Sequence, residues 1–167
     1  MSNLCENIIT VVGGTLEQRQ ALIDHVKSTE DLDRDFDFNR IIPYPEEYAK
    51  ADEAFNEAYY ERGVPREECP VSGYWQGGAQ WLKDHWGTKC NPDISTRVGD
   101  VDNISFHFDT VWSPSLPLTK TLSAMYPDLT FKHLYGEGGM DFSGYVVFKA
   151  GVEIEKKEGD YDEHFPT

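Results

Sequence analysis

Two short segments concentrate the side chains of this chain that could do chemistry. The first, Trp86-Gly-Thr-Lys-Cys-Asn91, ends a predicted helix, and Gly87 can take the left-handed backbone conformation that closes one. Thr88, Lys89 and Asn91 would then project from one short loop, with Lys89 able to meet an anion and Trp86 able to form a stacking wall. The same residues also suit a helix end pinned by Trp86, with Lys89 paired to Asp109 or Glu137, and that use is the commoner one. The second segment, Asp109-Thr-Val-Trp-Ser-Pro114, runs from a predicted strand into a helix. Unpaired helix N–H groups there attract a phosphate or carboxylate. Ser113 or Ser115, acting as N-cap, would satisfy the same donors, and this is the preferred reading. Glu137 lies in a glycine-rich turn, Gly136-Glu-Gly-Gly139, with Asp141 nearby. Paired carboxylates can do acid–base work, but the flanking glycines fit a hairpin with a solvated charge at its tip better. Trp86, Lys89, Asn91, Asp109, Trp112 and Glu137 are the candidate ligand or contact residues. None is assigned a catalytic role.

Other chemistries find less support. His85, Cys90, Cys69 and His107 lack the spacing of a zinc site, and no metal is expected. A cysteine nucleophile served by His133 or His107 would need an adjacency that only folding can create. Phosphate loops, dinucleotide fingerprints and serine elbows are missing, so no cofactor is expected. The formal charge is −15, from 30 acids against 15 bases. That surface repels nucleic-acid phosphates, which makes direct DNA or RNA binding a poor prospect. The acids cluster: Glu30–Gly63 carries eleven against four bases, and Gly151–Thr167 six against two. Three widely spaced cysteines and an N-terminus without a basic or long apolar run predict a reducing cytoplasm, with no membrane partner.

The elements that must position these residues follow from periodicity. Cys5–Gly13 reads as a buried strand, and Thr15-Leu-Glu-Gln18 as a capping box opening a helix with Leu16, Leu22, Ile23 and Val26 inward. Phe36, Phe38 and Ile41-Ile42 predict a second strand, stopped by Pro43 and Pro45. The block 46–102 predicts a helical insertion: one helix over Glu46–Tyr60, and another over Tyr74–Trp86 weakened by Gly77-Gly78. Ile104, Phe106 and Phe108 alternate in a third strand. A helix with Leu118, Leu122 and Met125 on one face follows, and Phe131, His133 and Tyr135 alternate in a fourth strand. Phe142–Phe148 and then Val152 and Ile154 add C-terminal strands, and the acidic tail 158–167 is expected to be loose. This order predicts one α+β domain over 1–167. It is a ferredoxin-like split βαβ sandwich, an antiparallel sheet with helices on one face, with the insertion after the second strand.

Several landmarks coincide in this chain: Cys5-Glu-Asn-Ile-Ile-Thr-Val-Val-Gly13, Phe38-Asn-Arg-Ile-Ile-Pro-Tyr-Pro45, Trp86-Gly-Thr-Lys-Cys-Asn91, Phe108-Asp-Thr-Val-Trp-Ser-Pro114 and Tyr135-Gly-Glu-Gly-Gly139. Together they resemble the YubB-type (Api-like) ferredoxin-like family of enterobacterial plasmids, phages and genomic islands. Cys90 departs from an aromatic in that pattern, and Ser115 from a second proline. The resemblance implies the fold and a mobile-element setting; it implies no activity. The expected function is a non-enzymatic module that binds another protein, with the tryptophan-rich insertion as contact region. One alternative is an acidic DNA mimic that inhibits a host defence or nucleic-acid-binding protein. Another is a small-ligand binder or enzyme using a pocket between Trp86–Asn91 and Asp109–Ser113. A single-stranded RNA platform through Phe106, Phe108, Phe131 and Tyr135 follows from fold analogy alone.

Overall fold

The computed structural model describes residues 3–165. Strand β1 (Leu4–Gly13) sends Cys5, Asn7, Ile9 and Val11 inward and leaves the alternate positions on the other face. Helix α1 (Leu16–Val26) opens with the capping box: Thr15 Oγ1 accepts from Gln18 N–H at 3.1 Å, and Gln18 Oε1 accepts from Thr15 N–H at 2.8 Å. Its buried residues are Leu22, Ile23 and Val26, whereas Leu16, in the first turn, is half exposed.

The run predicted as the second strand is not one. Phe36 and Phe38 are fully buried, but Phe38–Ile41 forms a one-turn helix, α2. Phe38 and Ile41 are three residues apart, one helical turn, and Asp37 caps it by accepting from Asn39 N–H at 3.0 Å. The second strand is instead β2 (Ser95–Val98), which pairs antiparallel with β3 (Ile104–Val111). The helical block therefore lies between α1 and the second strand, not after that strand. Within it run α3 (Glu46–Asn56), continued by one π-turn over Glu57–Glu61, and α4 (Gly78–His85), separated by Gly77 from a short 3₁₀ turn at Gly73–Gln76.

Helix α5 (Leu116–Met125) links β3 to β4 (Leu129–Glu137), and β5 (Phe142–Lys149) and β6 (Val152–Gly159) extend the sheet. The sheet order is β2-β3-β1-β4-β5-β6, with every neighbouring pair antiparallel. This is the ferredoxin-like α+β arrangement with two added strands. Phe106, Phe108, Phe131 and Tyr135 all lie on the buried face, so the RNA-platform reading falls. Over its described part, 158–165, the expected loose tail is held: β6 runs to Gly159, and α6 (Tyr161–His164) follows, while residues 166–167 lie outside the described residues. Tyr161 Oη donates to Glu6 at 2.6 Å, and His164 Nδ1 meets Ser143 Oγ at 2.7 Å. The Phe165 ring lies where a Cβ on Gly136 would stand, 2.6 Å from its ring carbons.

A polar knot sits at the centre of this core. His133 is wholly buried, with Nε2 at 2.8 Å from Asn7 Oδ1 and Nδ1 at 2.8 Å from Thr119 Oγ1. Asn7 uses its amide nitrogen to donate to Cys5 O and Thr110 Oγ1, so its Oδ1 must accept. The proton of His133 is thereby assigned to Nε2, and Nδ1 accepts from the Thr119 hydroxyl. Burial pushes the His133 pKa from its ordinary 6.5 down to about 3. The unfolded chain therefore takes up this proton first. Stability from this group is complete above about 6.5 and falls as pH drops toward 3. In NMR titration the His133 ring signals should stay neutral through the range around 6.5 where a free imidazole titrates. His133→Gln should lower stability at neutral pH and flatten its acid dependence, as read by urea unfolding at several pH values.

Candidate functional site

The two chemistry-bearing segments meet in space because side chains stitch them together. Thr88 Oγ1 donates to Val111 O at 3.0 Å, and Ser113 Oγ donates to Gly87 O at 2.6 Å. Gly87, at φ 78°, lies so close to Pro114 and Pro117 that a Cβ would approach them at 2.8 and 2.6 Å. A larger residue there would wedge the two segments apart.

Between them lies a cleft of about 370 Å³ whose lining includes Tyr74, Lys83, Lys89 and Trp112. Lys83 and Lys89 have no carboxylate partner within ion-pair distance among the described residues, so the expected pairing of Lys89 with Asp109 or Glu137 is not made. In a chain of net charge −15, two free ammonium groups on one cleft are a local inversion of sign. Trp112 is 48% exposed on a backbone with φ 70°. Its neighbours close a three-residue γ-turn, in which Ser113 N–H donates to Val111 O at 2.9 Å. For a bulky residue this left-handed conformation is unfavourable, and such outliers concentrate at binding sites.

The remaining candidates divide. Trp86 is 3% exposed and donates its indole N–H to Ile42 O at 2.9 Å, with Phe38 edge-on at 5.5 Å; it is a core pin. Asn91 is spent on structure: it donates to Asp37 Oδ1 at 2.8 Å and accepts from Phe38 N–H at 3.2 Å. Asp109 stands on the open face of the sheet, directly across from Glu6, and burial together with that neighbour raises its pKa. Glu137 is far from solvated. It is 3% exposed, and its carboxylate accepts from the N–H groups of Gly139 and Met140 in the β4–β5 turn. Lys89 and Trp112 share the cleft, while Glu137 stands apart. At the start of α5, Ser115 does not provide the expected side-chain cap. Its Oγ is buried without a partner, and its N–H instead reaches Asn7 Oδ1 at 3.4 Å.

A neighbouring depression of about 650 Å³ brings Cys90, His107 and Asp109 to one surface. No hydrogen bond joins them, and His107 Nε2 is engaged with Ser105 Oγ at 3.0 Å. Burial, with Asp93 adding to it, raises the Cys90 pKa, the opposite of what a thiolate nucleophile requires. Among the described residues no three His, Cys, Asp or Glu side chains are grouped to hold a metal ion. No helix among them is long and apolar enough to cross a membrane.

Sequence reasoning had missed Lys83 and Tyr74. The signal for the first was present, since Lys83 and Lys89 are the sole lysines or arginines between Arg66 and Arg97. Nothing in spacing marked Tyr74, whose place follows from the break at Gly77.

The comparisons agree with this architecture. Residues 91–165 match the family model described as a ferredoxin-like domain in Api92-like protein. That segment begins just before β2 and holds Trp112 but not Lys89. The crystal structure of protein Api92 from Yersinia pseudotuberculosis superposes with a TM-score of 0.52 at 12% identity, over 95% of this chain and 98% of that one. At that identity the likeness is one of fold. No curated protein matches the chain.

The strained turn supports a measurable comparison. Trp112→Gly should exceed Trp112→Ala in stability by about 1 kcal/mol, because only glycine adopts φ near 70° without steric cost. Urea unfolding of the two variants, which both lack the indole, isolates that backbone effect.

Proposed function

We propose that this chain, an Api-like protein on a ferredoxin-like core, is a non-enzymatic protein-binding module of mobile genetic elements, acting in the cytoplasm. The observation that carries this reading is Trp112, half exposed on a strained turn beside the unpaired Lys83 and Lys89. A half-exposed indole is the kind of anchor that dominates the binding energy at an interface hot spot, and the two lysines beside it would select an acidic partner surface. Lys89 and Trp112 come from separate segments tied by the Thr88 and Ser113 hydrogen bonds, so the contact surface is pre-formed and loses little entropy on binding. An enzymatic reading has less support, since Cys90 is held as a thiol and the carboxylates of Asp109 and Glu137 do not converge.

One further observation favours the acidic-mimic alternative. Glu53, Glu57 and Glu61 succeed one another at four-residue intervals along α3 and its π-turn, all exposed, and α3 buries no residue. Such a row would meet a basic protein surface and lose it as salt screens the charges.

Affinity capture from enterobacterial lysate separates the two. The Trp112 reading expects a partner whose retention is lost with Trp112→Ala and with Lys89→Glu, but kept with Lys156→Glu on the distant β6. Each loss should be at least about tenfold in affinity, ~1.4 kcal/mol. Capture that ignores both variants, yet collapses with added salt and with Glu53, Glu57 and Glu61 neutralised, would transfer the function to the acid row.

A further inference from the structure

The Trp112 cleft does not stand alone. A second cleft of about 400 Å³ abuts it and shares Tyr74 and Lys89, with Phe55 and Trp86 among its aromatic walls. A third, of about 460 Å³, abuts the second in turn and shares Tyr44, Asp52 and Asn56. Together they form one groove with three compartments. Glu53, Glu57 and Glu61 line the outer one, aromatic rings line the middle, and Lys83, Lys89 and Trp112 line the far end. Charge is thus segregated along the groove, negative at one end and positive at the other.

The middle compartment is rigid and has spare hydrogen-bonding capacity. Asp52 braces it by accepting from Tyr44 Oη at 2.8 Å and from Tyr74 N–H at 2.9 Å, while Trp86 is fixed by Ile42 O. Ser72, only 9% exposed, lines this compartment, and its Oγ makes no hydrogen bond among the described residues. The Asn56 amide lines it too and is likewise unengaged. Ser72 Oγ keeps contact with solvent and Asn56 is exposed, so a bound main chain would replace water at both groups. The main chain of an extended segment carries donors and acceptors that would serve both groups.

We infer that this groove takes an extended segment of a partner protein that carries a basic residue, an apolar or aromatic residue and an acidic residue in linear order. The basic side chain faces Glu53, Glu57 and Glu61, the apolar one enters the aromatic compartment, and the acidic one meets Lys83 and Lys89. Trp112 closes the far end as a wall. This inference rests on the protein-binding reading and deepens it by naming the chemistry of the segment bound.

The test uses labelled seven-residue peptides and the full chain, read by fluorescence polarisation. The probes have a Lys pair at one end, Phe in the middle and a Glu pair at the other, made in both chain directions. Controls carry Lys pairs at both ends, Glu pairs at both ends, or Ser for Phe. One direction of the mixed-charge peptide should bind at least about tenfold tighter than every control, ~1.4 kcal/mol. The double variant Lys83→Glu, Lys89→Glu, altered at two exposed positions, should reverse the ranking in favour of the doubly basic peptide. Equal binding of the controls, an unchanged ranking in the double variant, or no binding by either mixed peptide overturns the inference. If no peptide binds while capture of a whole protein still depends on Trp112, the extended-segment inference falls alone. If both fail, the protein-binding reading falls with it.

Discussion

The contact between Asn7 and His133 is the constraint on which the rest of the structure hangs. It joins the central strand β1 to β4, and through Ser115 and Thr119 it reaches the N-cap and first turn of α5. Through Thr110 it also reaches β3 and, by the bond from Thr110 Oγ1 to Ser113 O, the turn that presents Trp112. A buried imidazole with an unmet nitrogen would cost about 1–3 kcal/mol, so the register of three strands and the seat of one helix are selected together. Apolar side chains alone would tolerate small slips; this knot does not.

Around that fixed centre the fold carries a large excursion. The helical block between α1 and β2 rejoins the sheet through polar bonds as well as hydrophobic packing. Asp35 N–H and Phe36 N–H reach Ser95, and Asn91 bridges Asp37 and Phe38. Phe36 stacks on Phe108 at 5.2 Å, and Phe38 sits edge-on to Trp86, so the block shares the core of the sheet. A block anchored this way can present a groove without moving relative to the strands beneath it.

Charge follows the same division. Most of the acids behind the net −15 are exposed, where they favour solubility, while the two unpaired lysines of the block stand where its loop meets the β3–α5 turn. The surface ion pairs present, such as Lys50–Glu46 at 2.9 Å, are exposed and add little to stability. The electrostatic pattern bears on recognition more than on folding.

Strand periodicity carried most of the architecture in the sequence. β1, β3, β4, β5 and β6, the capping box of α1 and the in-phase position of His133 were legible because alternation and capping are local properties. The second strand was not, because Phe36 and Phe38 obey a two-residue period while Phe38 and Ile41 obey a helical one. Only competition for the edge of β3, won by Ser95–Val98, separates them. At the site, the sequence marked Lys89 and Trp112 as polar and aromatic residues near element ends. It could not tell that Glu137 would turn inward onto two backbone N–H groups, or that Asn91 would be consumed by Asp37. Those outcomes depend on which residues distant in the chain arrive within about 3 Å, since a hydrogen bond fades over fractions of an ångström. Residue type and spacing settled the frame; the long-range approach of its segments decided which side chains remained free to bind.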